Sequence, residues 1–99
     1  MSIYKHFCVE QLDETGTLTG ISFHYPDNFN FGYDVVDAIA MESPEKRAMV
    51  WCNTEGEERT FTFGDIRRLS DRTANVLRSA GVKRGDHVMV CLKKHFEFW

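Results

Sequence analysis

The sequence predicts an α/β fold in the order arm, helix, β-hairpin, long helix and parallel strand. Three observations carry that expectation. Residues 63–80 hold a capped helical pattern, and two apolar runs before them flank a polar loop containing a glycine. A further apolar run, residues 87–92, follows the helix at a distance that suits a right-handed crossover between parallel strands. The composition, 42% hydrophobic, 13% aromatic and 27% charged, is that of an ordinary globular domain. A chain of 99 residues is expected to form one such domain and to bury roughly two thirds of its unfolded surface.

Residues 1–33 read as an extended N-terminal arm. Phe7, Cys8 and Val9 suit a short strand or a helix start, Asp13-Glu14-Thr15-Gly16-Thr17 has turn chemistry, and residues 21–25 alternate like an edge strand. Pro26 then pushes Tyr25 away from helical angles. Residues 34–99 read as a partial N-terminal α/β domain. Val36, Ile39 and Ala40 fall at helical spacing, and Asp34 and Asp37 place negative charge near the helix start, so a helix is expected over residues 33–43, ending at Ser43-Pro44.

Residues 47–52 and 59–63 are the expected hairpin strands, joined across Asn53-Thr54-Glu55-Gly56-Glu57-Glu58. Thr62 suits an N-cap, and Asp65, three residues on, suits the other half of a capping box. Ile66, Leu69, Thr73, Val76, Leu77 and Ala80 then repeat at offsets of 3, 7, 10, 11 and 14, one helical stripe. Arg67, Arg68, Arg72 and Arg78 occupy other faces, with Asp71 within reach of Arg67 and Arg68. Gly81 stands where a left-handed C-terminal cap is wanted. After the turn at Lys83-Arg84-Gly85-Asp86, residues 87–92 suit a strand covered on both faces. Phe96, Phe98 and Trp99 need a surface to bury against, so the domain is expected to be truncated at its C-terminal end.

Net charge is −3, which does not suggest a nucleic-acid partner. It is unevenly spread: residues 1–58 balance at −8 and residues 59–99 at +5. The cysteines Cys8, Cys52 and Cys91 form no C-x-x-C pair, so no zinc knuckle or dithiol redox site is expected, and a reducing, cytoplasmic compartment is. The N-terminus lacks a signal-peptide apolar core and no apolar run reaches the ~20 residues of a membrane span, so a soluble chain without a membrane partner is expected.

Candidate chemistry is sparse. No glycine-rich phosphate loop is present. Asp34 and Asp37 lie one turn apart, the spacing of an acid/base pair, and the helix dipole supplies the alternative that is preferred here. His6 and Cys8 suit a metal or nucleophile pair, against which stands the mobility of an arm. His24, His87 and His95 have no second ligand at metal-binding spacing. Lys83, Arg84, Lys93, Lys94 and His95 flank the last strand, as a phosphate-binding group or, preferred here, a solvated rim. By these residues alone the chain is an α/β domain without an assigned activity.

Residues 29–99 add a resemblance. Phe61-Thr62-Phe63-Gly64-Asp65-Ile66 resembles the first core motif of adenylate-forming enzymes, written L-T-Y-x-E-L. Gly81-Val82-Lys83-Arg84-Gly85-Asp86-His87-Val88 is similar to that family's G-V-x-x-G-D-x-V. Phe29-Asn30-Phe31-Gly32-Tyr33-Asp34-Val35-Val36-Asp37 looks like the start of the acetyl- and medium-chain acyl-CoA synthetase branch. Phe61, Phe63, Asp65 and Ile66 depart from the motif while keeping chemical type, and residues 1–28 carry none of its motifs.

The resemblance implies the incomplete N-terminal part of an AMP-forming acyl-CoA synthetase. In the whole enzyme a carboxylate attacks ATP to give an acyl-adenylate, magnesium offsets the phosphate charge, and coenzyme A displaces AMP. The catalytic elements lie in other parts of the family's sequence, so no catalytic, cofactor-binding or metal-binding residue is expected here. The implied partner is the remainder of the parent enzyme. The alternative is a self-contained interaction module, a homo-oligomer formed through the aromatic residues 96–99.

Overall fold

The computed structural model describes residues 3–99. It is a mixed helix-and-sheet structure built on two antiparallel hairpins and one long helix. The first hairpin pairs β1 (Cys8–Leu12) with β2 (Leu18–Phe23), and the second pairs β3 (Arg47–Cys52) with β4 (Glu58–Thr62). Between them a π-helical turn, Gly32–Asp37, runs into the short helix α1 (Ala38–Glu42), and α2 (Phe63–Ser79) follows β4 directly. Short 3-10 turns lie at Ile3–His6 and Phe96–Phe98.

The expected arm therefore contains a hairpin. Its turn is set by Asp13, whose carboxylate accepts from the Thr15 amide (2.9 Å), the Thr15 hydroxyl (2.6 Å) and the Thr17 amide (2.9 Å). Gly16 supplies the left-handed residue at φ +82° that closes such a loop. The pairing runs Cys8 with Phe23 through Gln11 with Gly20, then slips by one residue at Leu12, which pairs with Leu18. Phe7, edge-on to Phe29 at 4.9 Å, ties this hairpin to the chain that follows it.

Helix α1 and its preceding turn agree with the helix expected over 33–43, wound more widely at the start. Asn30 anchors that start: its side-chain oxygen accepts from the Gly32 and Tyr33 amides, and its own amide donates to Asp34 at 2.7 Å. Ala40 of α1 is 4% exposed, and α1 lies against α2. Helix α2 has the expected capping box: the Thr62 hydroxyl accepts from the Asp65 amide at 3.1 Å, and Asp65 accepts from the Thr62 amide at 2.9 Å. Gly81, at φ +88°, is the expected left-handed cap.

Two expectations are corrected. The parallel strand at 87–92 does not form; among the described residues both sheets are two-stranded and antiparallel. A strand needs a neighbour's amides and carbonyls, and no backbone hydrogen bond joins residues 87–92 to the outer edge of β3 or β4. Compactness is the second. The radius of gyration is 17.0 Å, against about 13 Å for a compact chain of this length. The accessible surface is 8689 Å², against about 5,800 Å² expected for a folded monomer of this mass. The α2 stripe explains part of that excess, because Leu69, Val76 and Leu77 are 40%, 65% and 37% exposed.

Candidate functional site

One constellation lies where β4 enters α2. Thr62 ends the strand with extended angles, φ −88° and ψ 167°, and its side-chain oxygen accepts from the Asp65 amide in the first turn of the helix. Asp65 returns the bond, and it also pairs with Arg68 one turn on. The amide and hydroxyl of Thr62, and then the Arg68 charge, hold the Asp65 carboxyl below its ordinary pKa. Gly64 passes so close to the chain after α1 that its amide donates to the Pro44 carbonyl at 2.9 Å. A Cβ there would stand 3.1 Å from that same oxygen, a tight approach that favours glycine. Arg67 faces Asp37 at 3.9 Å, joining α2 to the π-helical turn.

A second constellation is aromatic. Phe96 lies 5.0 Å from Phe61 and 5.6 Å from Trp51, with the Arg59 guanidinium 4.9 Å above its ring. The Trp51 indole N–H donates to the Lys94 carbonyl at 2.8 Å. Beside it runs an apolar groove of about 460 Å³. Phe61, Ile66, Leu69, Leu77, Val90 and Phe98 are among the residues that line it.

The candidate residues are not brought together. Asp34 accepts from the Asn30 amide while Asp37 faces Arg67, so the two carboxylates serve different partners and form no acid/base pair. Cys8 donates its thiol to the Tyr4 carbonyl at 3.2 Å, and His6 tilts against Phe7. Among the described residues no group of three or more His, Cys, Asp or Glu side chains could hold a metal ion. Lys93, Lys94 and His95 line an open cleft with Trp51, and Lys83 donates its amide to Asp86 in the preceding turn. Asp71 pairs with neither arginine, because Arg67 and Arg68 turn towards Asp37 and Asp65.

The residues that organise these two constellations escaped sequence reasoning for a physical reason. Trp51 and Lys94 are 43 positions apart, and no local periodicity links them. The pairing of Asp37 with Arg67 depends likewise on how α1 docks. The Thr62 and Asp65 box, by contrast, is a local pattern and was legible.

A family model described as AMP-binding enzyme matches residues 36–99, more than half of the chain. The chain belongs to the AMP-binding enzyme family. Acyl-coenzyme A synthetase ACSM4, mitochondrial, of Rattus norvegicus is 35% identical over 94 residues, covering 89% of this chain and 16% of that protein. Acyl-coenzyme A synthetase ACSM2, mitochondrial, also of Rattus norvegicus, is 42% identical over 80 residues, covering 75% of this chain and 14% of that protein. Acyl-coenzyme A synthetase ACSM1, mitochondrial, of Mus musculus is 40% identical over 80 residues, with the same coverage of 75% and 14%. The chain thus spans about one seventh to one sixth of the length of these relatives. All three are named mitochondrial, which corrects the cytoplasmic compartment expected from the unpaired cysteines. Reduced thiols distinguish reducing from oxidising surroundings and do not separate one reducing compartment from another.

Proposed function

We propose that this chain is a structural segment of a mitochondrial AMP-forming acyl-CoA synthetase. The observation that carries the reading is the family match over residues 36–99, within which Thr62 and Asp65 of the motif Phe61-Thr62-Phe63-Gly64-Asp65-Ile66 form the helix cap. The segment's part is to present the capped α2 and the second hairpin to the remainder of the parent enzyme. ATP, magnesium and coenzyme A are bound by other parts of that enzyme, and no residue of this chain is catalytic. The uncovered α2 stripe supports a role in packing rather than chemistry, since an exposed apolar face is an interaction surface.

Two assays test this. The purified chain, given ATP, magnesium and a medium-chain carboxylate, is expected to form no acyl-adenylate and no AMP; formation of either overturns the structural role. Residues 36–99, placed in the matched positions of the rat ACSM2 synthetase, are expected to leave acyl-CoA formation intact. A folded, soluble chimera without that activity counts against the assignment.

A further inference from the structure

Beyond that role, the first hairpin carries an edge that fits a second copy of the chain. Among the described residues, β1 and β2 pair only with each other. A hairpin of two strands is marginal in water, and three or more strands sharing an apolar face are needed for stability. The register fixes which backbone groups are left over. The His24 amide donates to the Phe7 carbonyl at 2.9 Å, which makes Phe7 and His24 a hydrogen-bonded pair. Alternation then turns the amides and carbonyls of Val9 and Ser22 inwards, and those of Cys8, Glu10, Ile21 and Phe23 outwards.

The two outer edges differ in charge. At the middle of β1 the outward position is Glu10, so two such edges paired about their centres would set carboxylate against carboxylate. Strand β2, Leu18-Thr19-Gly20-Ile21-Ser22-Phe23, holds neither a charge nor a proline, the usual devices that keep an edge from pairing. Its one protection is the bulge at Thr19, where the register slips, and that lies at the end nearest the turn. Beyond the bulge, Ile21 and Phe23 are 46% and 70% exposed.

We infer that two copies of the chain pair antiparallel through β2, about a two-fold axis at Ser22. This register sets Ile21 opposite the second copy's Phe23, and Phe23 opposite the second copy's Ile21. Both are outward hydrogen-bonding positions, so each pair exchanges two backbone bonds. Each pair also lays an aromatic ring beside a β-branched side chain, a favourable cross-strand combination. Centring the pairing on Ile21 instead would bring Phe23 against the bulged Thr19, where the ladder is interrupted. The two hairpins thus become one four-stranded sheet, which supplies the strands that each lacks alone.

The test follows the purified chain by analytical ultracentrifugation over a range of concentrations, where it is expected to pass from monomer to dimer. Ile21→Lys sets a charge against the apolar ring and spares the hairpin's own backbone bonds. It is expected to weaken the dimer at least tenfold, with the Thr15 and Thr17 amide shifts unchanged as a sign that the turn is intact. Val76→Lys, on the exposed stripe of α2, is expected to leave the dimer as it was. Register is read by cross-linking with Cys8, Cys52 and Cys91 replaced by serine. Ser22→Cys then places two thiols across the axis at a non-hydrogen-bonded pair, where Cα atoms stand about 4.5 Å apart, within disulfide range. Mild oxidation is expected to link this variant and to spare Thr17→Cys, at the hairpin turn. A chain that stays monomeric throughout leaves this edge to the remainder of the parent enzyme and overturns the inference. So does a dimer that Val76→Lys weakens and Ile21→Lys does not, or one that Thr17→Cys links as readily as Ser22→Cys.

Discussion

The two hairpins are closed by the same five-residue turn and meet different surroundings. In the first, Asp13 accepts from the amides two and four positions on, and Gly16 turns left-handed at φ +82°. In the second, Asn53 does the same for Glu55 at 3.0 Å and Glu57 at 2.9 Å, with Gly56 at φ +86°. Local chemistry is thus shared. What differs is the next layer. Strand β4 passes straight into α2, and Phe63 donates its amide to the Lys46 carbonyl at 2.9 Å, so hairpin and helix are one unit. The first hairpin meets the rest of the chain through Phe7 and Phe29, and its Val9, Ile21 and Phe23 stay 54%, 46% and 70% exposed. A turn nucleates a hairpin; burial against another element makes it stable.

The largest expected effect breaks the second unit at its tightest point. Gly64→Val puts a branched side chain against the Pro44 carbonyl, and overpacking of this kind costs about 1–3 kcal/mol. Urea unfolding followed by helical circular dichroism should show that loss, whereas an equal midpoint would mean that α1 and α2 are not coupled through this contact. The next test sets the turns against each other. Gly16→Ala and Gly56→Ala impose the same left-handed strain, about 1–2 kcal/mol each. Only Gly56→Ala is expected to lower the thermal midpoint of α2; equal shifts would show that the first hairpin is coupled to the rest after all.

Thr62→Ala follows, with an expected loss of about 1 kcal/mol of helix stability from the missing cap. Hydrogen exchange should report it in the first turn of α2 and leave β1 and β2 unchanged. The smallest effect is one of pH. Asp13 is held below its ordinary carboxyl pKa of 3.8 by the Thr15 hydroxyl and then by the Thr17 and Thr15 amides. A depressed folded-state pKa contributes stability that is present above the unfolded value and lost as pH falls through the folded one. The first turn should therefore loosen below about pH 3.8, measured by amide chemical shifts at Thr15 and Thr17. Asn53 takes up no proton, so the bonds it accepts from the Glu55 and Glu57 amides should hold; equal loosening of those amides would assign the effect elsewhere.

The elements that sequence reasoning placed well are those whose stabilising partners lie within a few residues. Thr62 with Asp65, Gly81 after α2 and the glycine loop between β3 and β4 are of this kind. The candidate site was less legible. The aromatic cluster joins Arg59, Trp51 and Phe61 to Phe96, and only the path of the chain brings them together. The first hairpin was half visible, since the alternation in residues 21–25 and the Asp13 turn were evident and the pairing with Cys8–Leu12 was not.

By itself the sequence determined the capped α2, the second hairpin, its turn chemistry and the family resemblance, because hydrogen-bonding side chains and apolar periodicity act over one or two turns of chain. Only the tertiary structure decided that residues 87–92 run without a strand partner and that most of the α2 stripe stays open. Both depend on which neighbour is present to share a backbone hydrogen bond or an apolar face, and that is a property of the packed chain.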